Sequence, residues 1–209
     1  MTLRPVLLLL ALSCAFGTSS DAGELPELER HALTRGYFIA GSAAVDRDAL
    51  GGFASSSNQP RPIDRQVPPG EVSLIALPDE PSPFEGQHRG FLVVLANATD
   101  KSVWFSASDS RLSIVREAID KDGGWKPVEY LPSSWCGNSY HRVLLPAGEA
   151  WTFTAPTYRG QFATRMRFVL KQGNDAPIYS NEFPGSIDRG QFSAKDKRKP
   201  MGIMDPYND

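Results

Sequence analysis

The chain has 209 residues, with 22 Lys and Arg against 24 Asp and Glu, 41% hydrophobic residues and 22% charged ones. These are ordinary globular proportions, so they exclude wholesale disorder and a membrane-embedded helical bundle. A formal charge of -2 also excludes the broad basic surface that a nucleic-acid binder presents to phosphates.

At the N-terminus Arg4 precedes an apolar run, 6–12, and the small residues Ser13, Ala15 and Gly17 follow it. That order is the pattern of a secretory signal peptide over 1–17, with cleavage expected after Ala15 or Gly17. The mature chain is therefore expected to be secreted or periplasmic. The run is shorter than the ~20 residues a bilayer-spanning helix needs, and no transmembrane helix is expected. Ala11-Leu12-Ser13-Cys14 also fits an imperfect lipobox; acylation of Cys14 would make the chain a membrane-anchored lipoprotein instead. With the signal removed, Cys136 is the only cysteine, so no intrachain disulfide is expected and the fold rests on its core.

Residues 18–70 lack apolar periodicity and carry turn formers in clusters: Gly51-Gly52, Ser55-Ser56-Ser57-Asn58, Pro60, Pro62 and Pro68-Pro69-Gly70. Such a segment buries too little apolar surface to offset its ordering entropy, and it reads as a largely disordered tether. Two pieces stand out within it: 25–33, read as a short helix, and Tyr37-Phe38-Ile39-Ala40, read as a stretch that docks on the domain. At the other end, 193–209 contains Lys195-Asp196-Lys197-Arg198-Lys199-Pro200 and reads as a solvated tail.

Between these flanks, over 71–192, short apolar runs alternate with turn signals. The first is 71–77, and 90–96 is continuously apolar, as expected of a strand covered on both faces. After the polar turn Asn97-Ala98-Thr99-Asp100-Lys101 comes 103–107, with Val103, Phe105 and Ala107 on one face and Trp104 on the other. A strand over 112–119 is expected to turn at Asp122-Gly123-Gly124 into 125–131. Arg142 to Leu145 and Trp151 to Thr154 flank the turn Pro146-Ala147-Gly148-Glu149. The cleanest alternation is 162–170: Phe162, Met166, Phe168 and Leu170 share a buried face, while Arg165 and Arg167 share a polar one, where acids such as Glu117 or Glu129 are expected to match them. Residues 178–183 are the last strand expected. Seven or eight short strands without a long amphipathic helix indicate an all-β, antiparallel sandwich of immunoglobulin-like or fibronectin-like type.

Three turn-rich pieces, Asn97-Ala98-Thr99-Asp100, Asp120-Lys121-Asp122-Gly123-Gly124-Trp125 and Leu145-Pro146-Ala147-Gly148-Glu149, give an order of features over 71–187 that resembles bacterial immunoglobulin-like domains of secreted proteins and lipoproteins. The resemblance implies a β-sandwich that binds or spaces rather than catalyses. The paired cysteines of antibody domains are missing from this chain.

The connection 130–141 concentrates the chemically distinctive side chains, Trp135, Cys136, Asn138, Tyr140 and His141, and loops on rigid β scaffolds are where binding groups collect. Together with Trp104, these are the residues expected to contact a partner, an unknown protein or glycan outside the cell or in its envelope. The competing reading is a cysteine-dependent hydrolase or thiol-redox protein, with Cys136 as nucleophile and His141 as its base. A protease inhibitor offering a loop from a β-sandwich is a third. No cofactor or metal is expected: His31, His88 and His141 have no zinc-site spacing, and Asp120-Lys121-Asp122-Gly123-Gly124 lacks the further ligands of a calcium loop. Among the tryptophans, Trp125 and Trp151 are expected inside. Asn97-Ala98-Thr99 also fits a glycosylation sequon.

Overall fold

The computed structural model describes residues 25–29, 36–47, 56–129, 139–173 and 175–193. Among these the fold is all-β, and its strands pair antiparallel in three sheets. The first sheet orders β1 (Arg61–Pro62), β9 (Glu149–Pro156), β3 (Gly90–Asn97) and β2 (Val72–Pro81). In the second, β10 (Phe162–Leu170) pairs β6 (Ile114–Ile119) on one side and β11 (Ile178–Tyr179) and β12 (Phe183–Ile187) on the other, with β7 (Trp125–Pro127) beyond β6. The third orders β5 (Arg111–Leu112), β4 (Val103–Ser108) and β8 (Tyr140–Leu145). A 3-10 turn, Arg189–Ser193, ends the described chain. No helix among the described residues is long and apolar enough to cross a membrane.

The strand patterns explain this placement. β3 is buried on both faces, since Phe91, Val93 and Leu95 enter the main core while Val94 and Ala96 form a second small cluster with Ala150. β10 keeps the alternation of its sequence: Met166, Phe168 and Leu170 are core, Arg165 pairs Glu182 at 2.8 Å, and Arg167 pairs Glu117 at 2.9 Å. The final expected strand is split, with β11 and β12 both pairing β10 on either side of a connection through Ser180 and Asn181. Asn181 faces the edge of β2, where its amide accepts from the Ala76 N–H at 2.8 Å and donates to the Ala76 carbonyl at 3.0 Å. A sheet edge that would otherwise leave a peptide group unpaired is thereby capped.

Asn97 sits where the chain passes between sheets. It is fully buried, and its Nδ2 donates to the carbonyls of Lys101 (2.8 Å), Leu145 (3.1 Å) and Pro146 (3.1 Å), while its Oδ1 accepts from Thr99. The side chain read as a sequon acceptor therefore locks two turns together and is not presented to solvent.

Residues before Glu71 belong to the same core. Phe38 and Ala40 are fully buried, and Phe38 packs edge-on against Phe153 and Phe168 at 5.3 and 5.4 Å. The Trp151 indole, also fully buried, donates to the Gly41 carbonyl at 2.8 Å. The expected docking of Tyr37-Phe38-Ile39-Ala40 is what the structure contains. The short helix read over 25–33 is not seen in its described part, 25–29: Leu28 bridges Tyr158 in parallel, exchanging backbone bonds with Thr157 and Arg159. The gain from burying Leu28 beside Tyr158 outweighs the weak helical propensity of so short a piece. Residues 1–17, read as a signal peptide, Cys14 among them, and the basic stretch 195–200 lie outside the described residues.

Candidate functional site

Of the residues read as the contact loop, Trp135, Cys136 and Asn138 lie outside the described residues. Tyr140, His141 and Trp104 are placed by the pairing of β4 with β8, in which Trp104 faces Leu144, Ser106 faces Arg142, Ala107 faces His141 and Ser108 faces Tyr140. Alternation divides β8 into two faces. Tyr140, Arg142 and Leu144 share the outer face with Trp104, whereas His141, Val143 and Leu145 are buried. Tyr140 is 47% exposed.

On that outer face the Arg142 guanidinium lies 5.2 Å from the Trp104 ring, as a cation held against the negative face of an indole. Asp46 fixes it there: Arg142 Nε and Nη2 donate to the carboxylate at 3.1 and 2.9 Å, and the Arg142 backbone N–H donates to it at 3.0 Å. Ser42 Oγ accepts the Leu144 N–H at 2.8 Å, so the N-terminal segment caps the outer edge of β8 with side-chain oxygens. Trp104 is thus half-covered by an arginine that the N-terminal segment holds.

His141 turns inward and is 6% exposed. Its Nδ1 lies 3.0 Å from the Ser139 carbonyl, which can only accept, so Nδ1 carries the proton. In the neutral ring Nε2 is then an acceptor, and it lies 3.5 Å from the Ser110 hydroxyl. Ser110 belongs to the two-residue turn between β4 and β5, where Asp109 and Ser110 both have positive φ, 46° and 63°. Two such angles define the primed turn that suits a tight hairpin. The polarity is that of a nucleophile and its base, and sequence spacing does not reveal it because 31 residues separate the two. Two features weaken it as chemistry. Ser110 is 3% exposed, and a neutral carbonyl behind the imidazole orients the ring without the charge that stabilises an imidazolium.

A second constellation, absent from the sequence reading, lies in the core. Arg116 is fully buried, and its Nε is 3.3 Å from Glu129, whose side chain is 5% exposed. Glu129 Oε1 accepts from both the Tyr37 and Tyr158 hydroxyls at 2.8 Å, and its Oε2 accepts the Arg116 backbone N–H at 2.9 Å. Arg116 Nη2 donates to the Pro156 carbonyl at 2.8 Å, and the guanidinium lies 4.6 Å from the Tyr158 ring and 5.0 Å from that of Phe168. Burial, followed by the negative charge of Glu129, pushes both phenols well above their usual pKa. Glu129 therefore does not serve Arg165 or Arg167. The signal that would have found this group is an arginine on a strand, Val115-Arg116-Glu117-Ala118, at the parity of the core residues Ile114 and Ala118.

Trp125 corrects the expectation that it is inside. Its register opposite Ile119 puts it on the outer face of the second sheet, because Ala118 is the residue of that strand that enters the core. There Trp125 and Tyr179 flank the Arg167 guanidinium at 4.2 and 4.0 Å. Trp151 is fully buried, as expected. The Asp120 to Gly124 segment is a hairpin turn: Asp120 Oδ1 accepts the N–H groups of Asp122 and Gly124 at 2.9 Å, and Gly123 has φ +82°. Among the described residues, no group of three or more His, Cys, Asp or Glu is placed to hold a metal ion.

Compared with known proteins, the chain matches no family model, no curated protein and no solved structure.

Proposed function

We propose that the chain is a non-enzymatic module, secreted or envelope-associated, in which an immunoglobulin-like β-sandwich binds or spaces a protein or glycan partner. The sandwich is supported by rings that meet across the core, with Phe91 of β3 5.3 Å from Phe183 of β12 and 6.2 Å from Phe168 of β10. The observation that carries the binding reading is the division of β8. The aromatic and cationic side chains Tyr140 and Arg142, with Trp104 beside them, share the outer face, and the imidazole that a hydrolase would need is turned inward. Tyr, Trp and Arg are the side chains that dominate interfaces, because each offers a large rigid contact with a polar end. Among the described residues the contact face then comprises Trp104 and Tyr140; Trp135 and Asn138, read with them from the sequence, lie outside the described residues. The signal-peptide pattern at 1–17 supports the location.

The rival is the cysteine hydrolase or thiol-redox protein, and iodoacetamide labelling of the folded full chain over a pH series separates them. A non-enzymatic module is expected to label at Cys136 no faster than the unfolded chain, with no change in His141→Gln. Labelling with an apparent pKa below ~7.5 that returns to the ordinary thiol range in His141→Gln would overturn the proposal, because only a thiolate activated by an imidazolium behaves that way.

A further inference from the structure

We infer that the cavity where β10 begins and β12 ends is a binding site for a neutral oligosaccharide. It is an open cleft of about 630 Å³, within the range of small-molecule sites. The site lies at the Asp120 end of β6, whereas the Ser110–His141 pair lies at the end where β6 begins. It therefore goes beyond the contact face proposed above and stands whether or not that face takes a partner.

Its floor is built by close approach of two backbones. A Cβ on Gly160 would fall 1.9 Å from the Ile187 carbonyl carbon and 2.2 Å from its oxygen, so only glycine lets the connection before β10 approach the end of β12 there. Phe162, opposite Ile187 in the pairing of β10 with β12, forms an apolar wall and is braced edge-on by Phe192 at 5.9 Å. The Arg189 guanidinium lies 4.6 Å from the Phe162 ring.

The remaining lining identifies the ligand class. The lining carries Arg159 and Arg189, Glu29 and Asp188, and Gln161, so two cations and two anions give no net charge. Arg159 and Glu29 are 3.4 Å apart, and the Asp188 carboxylate accepts the Gly190 N–H at 2.7 Å. With equal numbers of acids and arginines, the lining offers a charged ligand no net attraction. A polyhydroxylated neutral ligand meets both sets, since each hydroxyl donates and accepts. A smaller cavity of about 230 Å³ shares Phe162 and Arg189 and continues past them. Its lining adds Asp120 and Asp122, Lys121 and Lys126 to the shared Arg189, so it too mixes acceptors with donors. Two adjoining cavities that share Phe162 and Arg189 suit a ligand of more than one sugar.

The test is backbone-amide NMR of the full chain titrated with cellobiose, maltose and N,N′-diacetylchitobiose. At least one is expected to give saturable shifts at Gln161, Phe162 and Arg189, with a dissociation constant of about 1 mM or tighter. Arg159→Ala and Arg189→Ala, both at exposed positions, are expected to weaken it by about tenfold each, while Tyr140→Ala leaves it unchanged. Phe162→Leu, which keeps an apolar side chain at this partly buried position, is expected to weaken it without unfolding the chain. Absence of saturable shifts with all three sugars overturns the site, as does wild-type affinity in both arginine variants. Loss of binding in Tyr140→Ala instead would move the sugar to the face of β8.

Discussion

A fully buried guanidinium is among the most costly groups to remove from water, and Arg116 is tolerated because one carboxylate, one carbonyl and several aromatic faces surround it. Glu129 is the centre of that arrangement, because it also accepts both buried phenols. Glu129→Gln should therefore destabilise the fold by about 3–5 kcal/mol, the cost of leaving a buried charge without its counter-ion. The double change Arg116→Met with Glu129→Gln should recover much of that loss, since the isolated charge is gone. Urea unfolding of the three proteins checks both statements; equal stability of Glu129→Gln and the wild type would mean that the ion pair has no structural role. The same residue shows why the cluster was hard to read in advance. In the sequence Glu129 is an ordinary acid near two arginines on a sheet, and its partner is decided by which strand β7 lies beside.

At the scale of the element, hairpins were the most legible parts. Asp122-Gly123-Gly124 demands a positive φ, and Gly123 provides it. The turn also has an electrostatic anchor that composition does not reveal. The hydrogen bond from Lys126, then that from the Gly124 N–H, favours the carboxylate of Asp120 and lowers its pKa from 3.8 to about 2. A carboxyl whose folded pKa is lowered stabilises the fold above its unfolded pKa and ceases to do so as pH falls through the folded one. Asp120→Asn should therefore flatten the acid limb of the stability curve between 3.8 and about 2, as followed by thermal melting over that window. An unchanged acid limb would show that the Lys126 and backbone contacts do not survive in solution. The alternating strands, β10 above all, were equally legible, because a period of two assigns faces without knowledge of the partner. β7 was not, since three residues carry too little pattern to tell which face Trp125 takes.

For the molecule as a whole, the chief consequence of tertiary structure is that the segment before Glu71 completes the domain. It supplies Leu28, Phe38 and Ala40 to the core, Tyr37 to the buried ionic group, and Ser42 and Asp46 to the edge of β8. A chain shortened to begin at Glu71 should lose cooperative unfolding in differential scanning calorimetry. Phe38→Ala in the full chain should cost about 3–5 kcal/mol, as expected of a large ring removed from a closed core. A sharp transition of full enthalpy in the shortened chain would restore the view of that segment as a tether.

The all-β class, the order of most strands, the hairpin turns and the alternating faces of β10 are set by the sequence alone, because each depends on residues within a few positions of one another. Polar, proline-rich stretches such as 56–70 carry no local period, and whether Phe38 or Leu28 is buried depends on a surface assembled from distant strands. The same holds for the pairings of His141 with Ser110, Arg116 with Glu129 and Gly160 with Ile187. Those are decided by sheet register between elements remote in the chain, and only the tertiary structure brings them together.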